Sequence, residues 1–297
     1  MKLIKPSFEI LEQQPGLEGI YEAIERAGRT CYKSKRPDGQ TAKNFVDRMI
    51  ASKHYAMLEH GTVYLKIRKG TYAYSHYVVV CEPDDDFMSS SRELSYRPYT
   101  KVNIQDDYIY VTTNYRVLVE NRWLNDLKYL CEPTEFHERR VTVRFTTDRG
   151  VSHEFVRHRV FSFAQESTRY CNYSKDKFGN ELTFIIPSWM NSNEQSINTK
   201  QGFGLKPGEE LFAFLGKSER HYFKLLELGL TPQQARQVLP NALKTELIMT
   251  GFVSDWQHFS RLRTSIIAET GKPHPDASAL ADPLYKEFIN RNYLKEM

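Results

Sequence analysis

Apolar positions near the start of the chain recur at steps of three and four. Leu17, Ile20, Tyr21, Ile24 and Ala27 share one face after Pro15-Gly16, which predicts a helix over 17–27. Phe45, Val46, Met49 and Ile50 predict a second helix over 41–52, with Thr41 as its N-cap. The period then changes to two. Val63, Leu65 and Ile67 alternate with Tyr64, Lys66 and Arg68, the pattern of a strand with one buried face. Val141, Val143 and Phe145 predict another strand. Between them, residues 77–80 and 108–111 suit short strands, and 113–130 suits a helix through Val119, Trp123 and Leu127. Residues 81–101 are polar and broken by Pro83 and Pro98, as in a solvated loop. The stretch 70–138 is expected as an excursion between two strands of one sheet.

Beyond residue 205 the spacing is helical. Leu211, Leu215, Tyr222 and Leu226 align, and Gly229 is a stop. Thr231-Pro232 restarts a helix with a capping hydroxyl and a proline at the first position, and Pro240 kinks or ends it. Further helices are expected over 241–251, over 255–267 with Ser254 as cap, and near 282–292. Helices, then strands, then helices make an α+β chain. No repeat or linker divides it, so residues 1–297 are expected as one domain with an insertion or extension at about 70–138.

With 40% hydrophobic and 26% charged residues, a disordered or collagen-like chain is excluded. No apolar run reaches the length of about 18 residues that a membrane helix needs. Lys+Arg is 41 against Asp+Glu 37, a formal +4 too small for a nucleic-acid coat. Cys31, Cys81, Cys131 and Cys171 lie far apart without a C-x-x-C pair. Neither a zinc knuckle nor a disulfide framework is expected, and the default is a reducing cytoplasm. The first residues lack the apolar core of a signal peptide.

Candidate chemistry concentrates in residues 156–170, VRHRVFSFAQESTRY. Arg157, Arg159 and Arg169 stand against a single acid, Glu166. His158, Ser162, Gln165 and Ser167 add polar groups, and Phe161, Phe163 and Tyr170 add rings. Guanidinium forks match phosphate oxygens in pairs, and aromatic faces suit flat heterocycles. The set suits an anionic, planar ligand such as a nucleotide or flavin; the alternative is surface cation–π pairs or salt bridges. Arg263 shares a helical face with Trp256, Phe259 and Ile266, so it needs a partner: a carboxylate, a carbonyl-rich base or a phosphate. Arg236, just before Val238-Leu239-Pro240, is either an exposed helix arginine or a ligand contact. His153-Glu154 and His158 have the wrong spacing for a zinc protease, and no metal site is expected. GFGLKPG at 202–208 fails as a dinucleotide fingerprint. His54 and His60, beside Glu59, suit structural roles. Cys171, near Arg169, is the one cysteine in a partly electropositive context.

The R-H-R of 157–159, followed after seven residues by Ser167, resembles the signature of the flavin-dependent thymidylate synthases. AGRTCYKS (27–34), HYAMLEHG (54–61), ARQVLP (235–240) and HFSRLR (258–263) extend the resemblance over most of the chain outside 70–138. It implies a central, largely antiparallel sheet flanked by helices, and a homotetramer whose active sites form where subunits meet. It implies conversion of dUMP to dTMP with methylenetetrahydrofolate as carbon donor, FAD as redox cofactor and NADPH as reductant. For dUMP it implies Glu154, Arg157, Gln165, Ser167, Arg169, Arg236 and Arg263, with Arg169, Arg236 and Arg263 converging on one uridylate. For FAD it implies Cys31, His54, Arg157, His158, Arg159, Gln165 and His258. Ser167 and Arg263 are the implied catalytic pair, one placing the base and the other polarising it. The chain departs from the pattern at Ala164, Phe252 and His258, where relatives often carry asparagine. It departs also at Ala56 for threonine, Cys31 for serine and Glu154 for glutamine. Two other functions fit the residues: a nucleotide-binding flavin oxidoreductase that moves no carbon, and an RNA-binding module on 156–170. The low charge and missing RNP or KH patterns weigh against the latter.

Overall fold

The structure is a computed structural model and describes residues 1–79, 92–93, 99–190, 206–269 and 271–296. Its elements run β1 (Lys2–Ile4), β2 (Ser7–Ile10), α1 (Gly16–Tyr32), α2 (Ala42–Ala51), β3 (Thr62–Arg68), β4 (Val78–Val79), β5 (Arg92–Glu93), β6 (Lys101–Gln105) and β7 (Tyr108–Asn114). Then come α3 (Tyr115–Asn121), β8 (Arg140–Asp148), α4 (Arg149–Phe155), β9 (Ser162–Gln165), β10 (Thr183–Ile185), α5 (Pro207–Glu227), α6 (Pro232–Ala235), β11 (Lys244–Phe252), α7 (Val253–Arg263) and α8 (Pro275–Asn290). Cys81, Pro83, Pro98 and the glycines of 202–204 lie outside the described residues.

The fold is α+β. Its central sheet has the order β2-β8-β11-β9, antiparallel throughout. One face buries Phe145, Leu247 and Met249 against Phe155 of α4, Trp256 and Phe259 of α7 and Leu280, Leu284 and Phe288 of α8. The Trp256 indole N–H, buried with its ring, donates to the Val141 carbonyl at 3.1 Å. The other face carries Ala164 and Ile248 against Ala27 of α1.

Two sequence expectations are corrected here. Residues 241–251 are not a helix: most of them form β11, the strand between β8 and β9. A strand covered on both faces loses its period-two pattern, and LIM in its middle then looks the same as a buried helical turn. The β-branched Thr245, Ile248 and Thr250 favour the extended form. Gly251 belongs to this packing, because a Cβ there would lie 2.5 Å from the Phe161 ring. In addition, β3 and β8 are not neighbours in one sheet. β3 pairs with β7 and β7 with β6, so part of 70–138 builds a second, three-stranded antiparallel sheet. Val63, Leu65 and Ile67 meet Ile109 and Val111 there, over Ile20 and Ile24 of α1 and Phe45 of α2.

Smaller differences follow the same physics. Thr41 does cap α2, accepting from the Asn44 amide at 3.3 Å. Ser254 does not cap α7. The helix starts after Phe252, whose amide donates to Asp255 at 3.0 Å, and it ends at Arg263, leaving Ile266 exposed beyond it. The expected helix over 113–130 is two pieces, α3 and a 3-10 turn over Leu124–Tyr129, because Arg122 takes a left-handed φ of 61°. Gly229 ends the turn after α5 with φ +91°. α8 begins earlier than expected, at Pro275. No described helix is long and apolar enough to cross a membrane.

Candidate active site

β8 runs directly into α4, whose start is fixed by Asp148 accepting from the Val151 amide at 2.8 Å. That join aims the end of α4 at the end of α7. There the Arg263 guanidinium meets Glu154: Nη1 donates to Oε2 at 2.5 Å and Nη2 to the backbone carbonyl at 3.0 Å. Arg263 Nε donates to His158 Nε2 at 3.0 Å. His158 is buried, and burial first, then Arg263 and His258, lowers its pKa to about 4. It is therefore neutral near pH 7 and, because Nε2 accepts, carries its proton on Nδ1. A guanidinium has five N–H donors, and these contacts leave Arg263 one on each terminal nitrogen. The carboxylate partner foreseen for Arg263 is Glu154. His258 is exposed, with its ring centroid 6.4 Å from that of His158.

A second cluster lies at the other end of β9. The Ser167 amide donates to the Cys31 carbonyl at 3.0 Å, tying β9 to the end of α1. Ser167 Oγ accepts from the Arg169 amide at 3.3 Å, and the Cys171 amide returns to the Ser167 carbonyl at 2.9 Å. This turn brings out Arg169, which is exposed and lies 5.2 Å over the Tyr170 ring. Tyr170 in turn leans on Tyr32 with centroids 4.9 Å apart. Arg236, at the end of α6, donates to the Thr168 hydroxyl at 3.4 Å. Arg169 and Arg236 thus belong to one neighbourhood around Thr168, whereas Arg263 makes its contacts with Glu154 and His158. Gln165 lies between the two clusters, donating to Ser152 of α4 at 2.9 Å and to Thr245 of β11 at 3.2 Å.

A cleft of about 410 Å³ opens beside the second cluster, lined by Cys31, Tyr32, Phe45, His54, Tyr55 and Arg116 among others. Its walls are largely apolar and aromatic, and Lys53, His54 and Arg116 give it basic groups. Gly28 allows α1 to approach Phe45 here, since a Cβ would fall 2.4 Å from the ring. Of the flavin set, Cys31 and His54 line this cleft. Arg157 and Arg159 are exposed on the loop after α4 and His158 is with Arg263, so one chain does not gather the whole set.

Cys171, the one cysteine with a partly electropositive context, is not activated by it. It is fully buried, and burial, then Glu166, pushes its thiol up to about 11, far from a reactive thiolate. Burial likewise raises Cys31 and Cys131. His60 is structural: its Nδ1 lies 2.8 Å from the Thr250 hydroxyl. Sequence reading gave no role to Thr168, Tyr32, Lys53 or Arg116. Thr168 and Tyr32 sat inside stretches already singled out, but only the turn and the Tyr32–Tyr170 contact show what they do. Among the described residues, no group of three or more His, Cys, Asp or Glu could hold a metal ion.

The profile of the family described as "Thymidylate synthase complementing protein" matches residues 93–290. A probable flavin-dependent thymidylate synthase of Paramecium bursaria Chlorella virus 1 is 31% identical over 150 residues, 50% of this chain and 67% of that protein. Flavin-dependent thymidylate synthases of Corynebacterium aurimucosum and Thermococcus kodakarensis are 32% and 34% identical over 41% and 39% of this chain. The matched parts are 48% and 42% of those two proteins, so the match spans about half the length of these relatives. Among solved structures, the UMP/dUMP methylase PolB from Streptomyces cacaoi bound with 5-Br dUMP aligns over 98% of this chain and 93% of its own, with 14% identity and a TM-score of 0.45.

Proposed function

This chain belongs to the thymidylate synthase complementing protein family, and on that footing we propose that it reductively methylates dUMP to dTMP. In this reading methylenetetrahydrofolate donates the carbon, FAD is the redox cofactor and NADPH the reductant. The observation that carries it is the bond from the Ser167 amide to the Cys31 carbonyl. That bond holds the turn carrying Arg169, whose neighbour Thr168 is reached by Arg236 from the end of α6, beside a basic, aromatic cleft, which suits an anionic nucleotide next to a flat ring system.

The cleft suits a flavin dinucleotide in its chemistry: ring-sized apolar walls for the isoalloxazine, and for the pyrophosphate Lys53 together with the Arg116 donors left over from its pairs with Glu59 and Glu120. FAD, when bound, would supply the redox chemistry of the reaction. Arg169 and Arg236 hold the dUMP phosphate, and the Ser167 hydroxyl orients the uracil. Arg263 uses its two remaining N–H groups to stabilise negative charge on a uracil oxygen, while Glu154 and His158 fix its plane. Arg157 and Arg159 face outward, so they complete the cleft of a neighbouring subunit in a homotetramer. Free thiols at Cys31, Cys131 and Cys171 accord with a cytoplasmic location.

The test is tritium release from [5-³H]dUMP that requires NADPH, FAD and methylenetetrahydrofolate together. Flavin reduction and reoxidation without tritium loss would leave only a nucleotide-binding oxidoreductase. A colourless protein that binds neither flavin nor dUMP would sink both readings.

A further inference from the structure

Behind the Ser167 turn lies a ring of four charges outside the set assigned above. Lys33 pairs with Glu246, Glu246 with Lys244 at 3.1 Å and Lys244 with Glu166 at 2.7 Å, and Glu166 returns to Lys33 at 4.0 Å. The lysines and glutamates alternate, so each charge has two opposite neighbours. Glu166 is almost wholly buried, and Tyr173 also donates to it at 3.1 Å. The backbone joins in, with the Glu166 amide donating to the Glu246 carbonyl at 2.9 Å. Lys33 holds a left-handed φ of 47° at the end of α1, a strained placement for a residue with a Cβ.

The ring joins three pieces of the site. Lys33 follows Cys31 and Tyr32 of the cleft, Glu166 precedes Ser167, and Lys244 and Glu246 stand on β11. Burying Glu166 and half-burying its three partners is costly, and apolar side chains of similar volume would hold the same elements together at least as well. What an ionic ring gives over an apolar plug is a fixed register, because each hydrogen bond accepts one geometry.

We propose that Glu166 is a positioning residue for the nucleotide. Through Lys244, Tyr173 and Lys33 it locks the turn that presents Ser167 and Arg169 to the end of α1 that walls the cleft. The proposal rests on the function above for what the turn binds. Glu166, buried behind the turn, acts through these partners.

Two variants and two readouts test it. Glu166→Gln keeps the shape and the Tyr173 bond but removes the charge. Glu166→Leu with Lys244→Met removes the pair without leaving a lone buried charge. In Glu166→Gln, the KM for dUMP in the tritium assay should rise about tenfold with kcat within about twofold, the signature of lost ground-state binding. Hydrogen exchange of the 166–171 and 29–34 amides should quicken together by a similar factor. The double variant should regain wild-type Tm yet keep the raised KM. The proposal is overturned if exchange in both segments stays at the wild-type rate in Glu166→Gln, or if the double variant regains KM along with Tm, which would make the ring merely structural. Should the double variant not fold, Lys33→Met, which opens the ring from its accessible side, replaces it, and an unchanged KM there counts against the proposal. A wild-type protein that releases no tritium would fail the function instead, and the exchange experiment would still decide whether Glu166 locks the turn.

Discussion

Arg263 grips Glu154 twice, at the carboxylate and at the backbone carbonyl of the same residue, and touches His158 with its remaining ring-facing nitrogen. This fixes the plane of the guanidinium before any ligand arrives. Arg263→Ala should lower tritium release about 100-fold or more while leaving a folded protein, as expected for removal of a preorganised donor pair. Arg263→Lys should fail to rescue, because a point charge cannot reproduce the fork. Near-normal turnover in either variant would take Arg263 out of the site.

Ser167 is tied by its amide to Cys31 and by its hydroxyl to the Arg169 amide, an arrangement for holding a turn. Ser167→Ala is therefore expected to weaken dUMP binding and slow turnover while retaining measurable tritium release. Complete loss of release, together with a trapped serine–uridine adduct in the wild type, would make Ser167 a nucleophile.

Buried histidines set an acid limit, and burial lowers His137 as well as the two that follow. Burial, then the Arg140 charge, lowers His60 to about 3, and burial with Arg263 lowers His158 to about 4, against 6.5 for a free imidazole. Between these values the unfolded chain binds more protons than the folded one. Their contribution to stability is thus complete above about pH 6.5 and is lost as the pH falls toward 4. Thermal unfolding followed from pH 7 to 4.5 should show a falling Tm. The fall should be shallower in His158→Gln, and an identical slope would show that His158 is not neutral in the fold.

At the crossing of α1 and α2, Gly28 leaves room for Phe45. Gly28→Ala should cost about 1–3 kcal/mol by overpacking, read as a lower urea midpoint. Phe45→Leu in the same chain should recover part of it. Flavin retention is expected to suffer in the single variant, since Phe45 walls the cleft. Wild-type stability in Gly28→Ala would mean that the helices part at no cost.

Leu65 joins the second sheet to the α1 core and is fully buried. Leu65→Ala should destabilise by about 2–5 kcal/mol. Deleting 70–138 should yield an insoluble chain, because β3 would lose β7 and bare Val63, Leu65 and Ile67. A soluble, active deletion would show that β3 finds another partner.

Much of this was legible from residue order. Thr41, Gly229 and the alternation around Leu65 and Val143 carry their own local physics, and the structure follows them. β11 was not legible, because a strand buried on both faces has no alternation to show. The second sheet was missed for a related reason: β3 and β7 pair antiparallel from Arg68–Tyr108 to Thr62–Asn114, far apart in the chain, and nothing in either strand names its partner. In the site, the segment 156–170 was visible by its arginines and rings. The bond between Ser167 and Cys31, and the separate company kept by Arg263, depend on how α1, α4 and α7 pack, which single positions do not encode.

The place of β11 in the sheet bears on biosynthesis. Its two neighbours are made about eighty and one hundred residues before it emerges, so both must wait with an edge unpaired while α5 and α6 are still being translated. A ribosome stalled near residue 240 would hold a chain whose central-sheet core cannot close. Chaperone dependence should therefore peak late in translation.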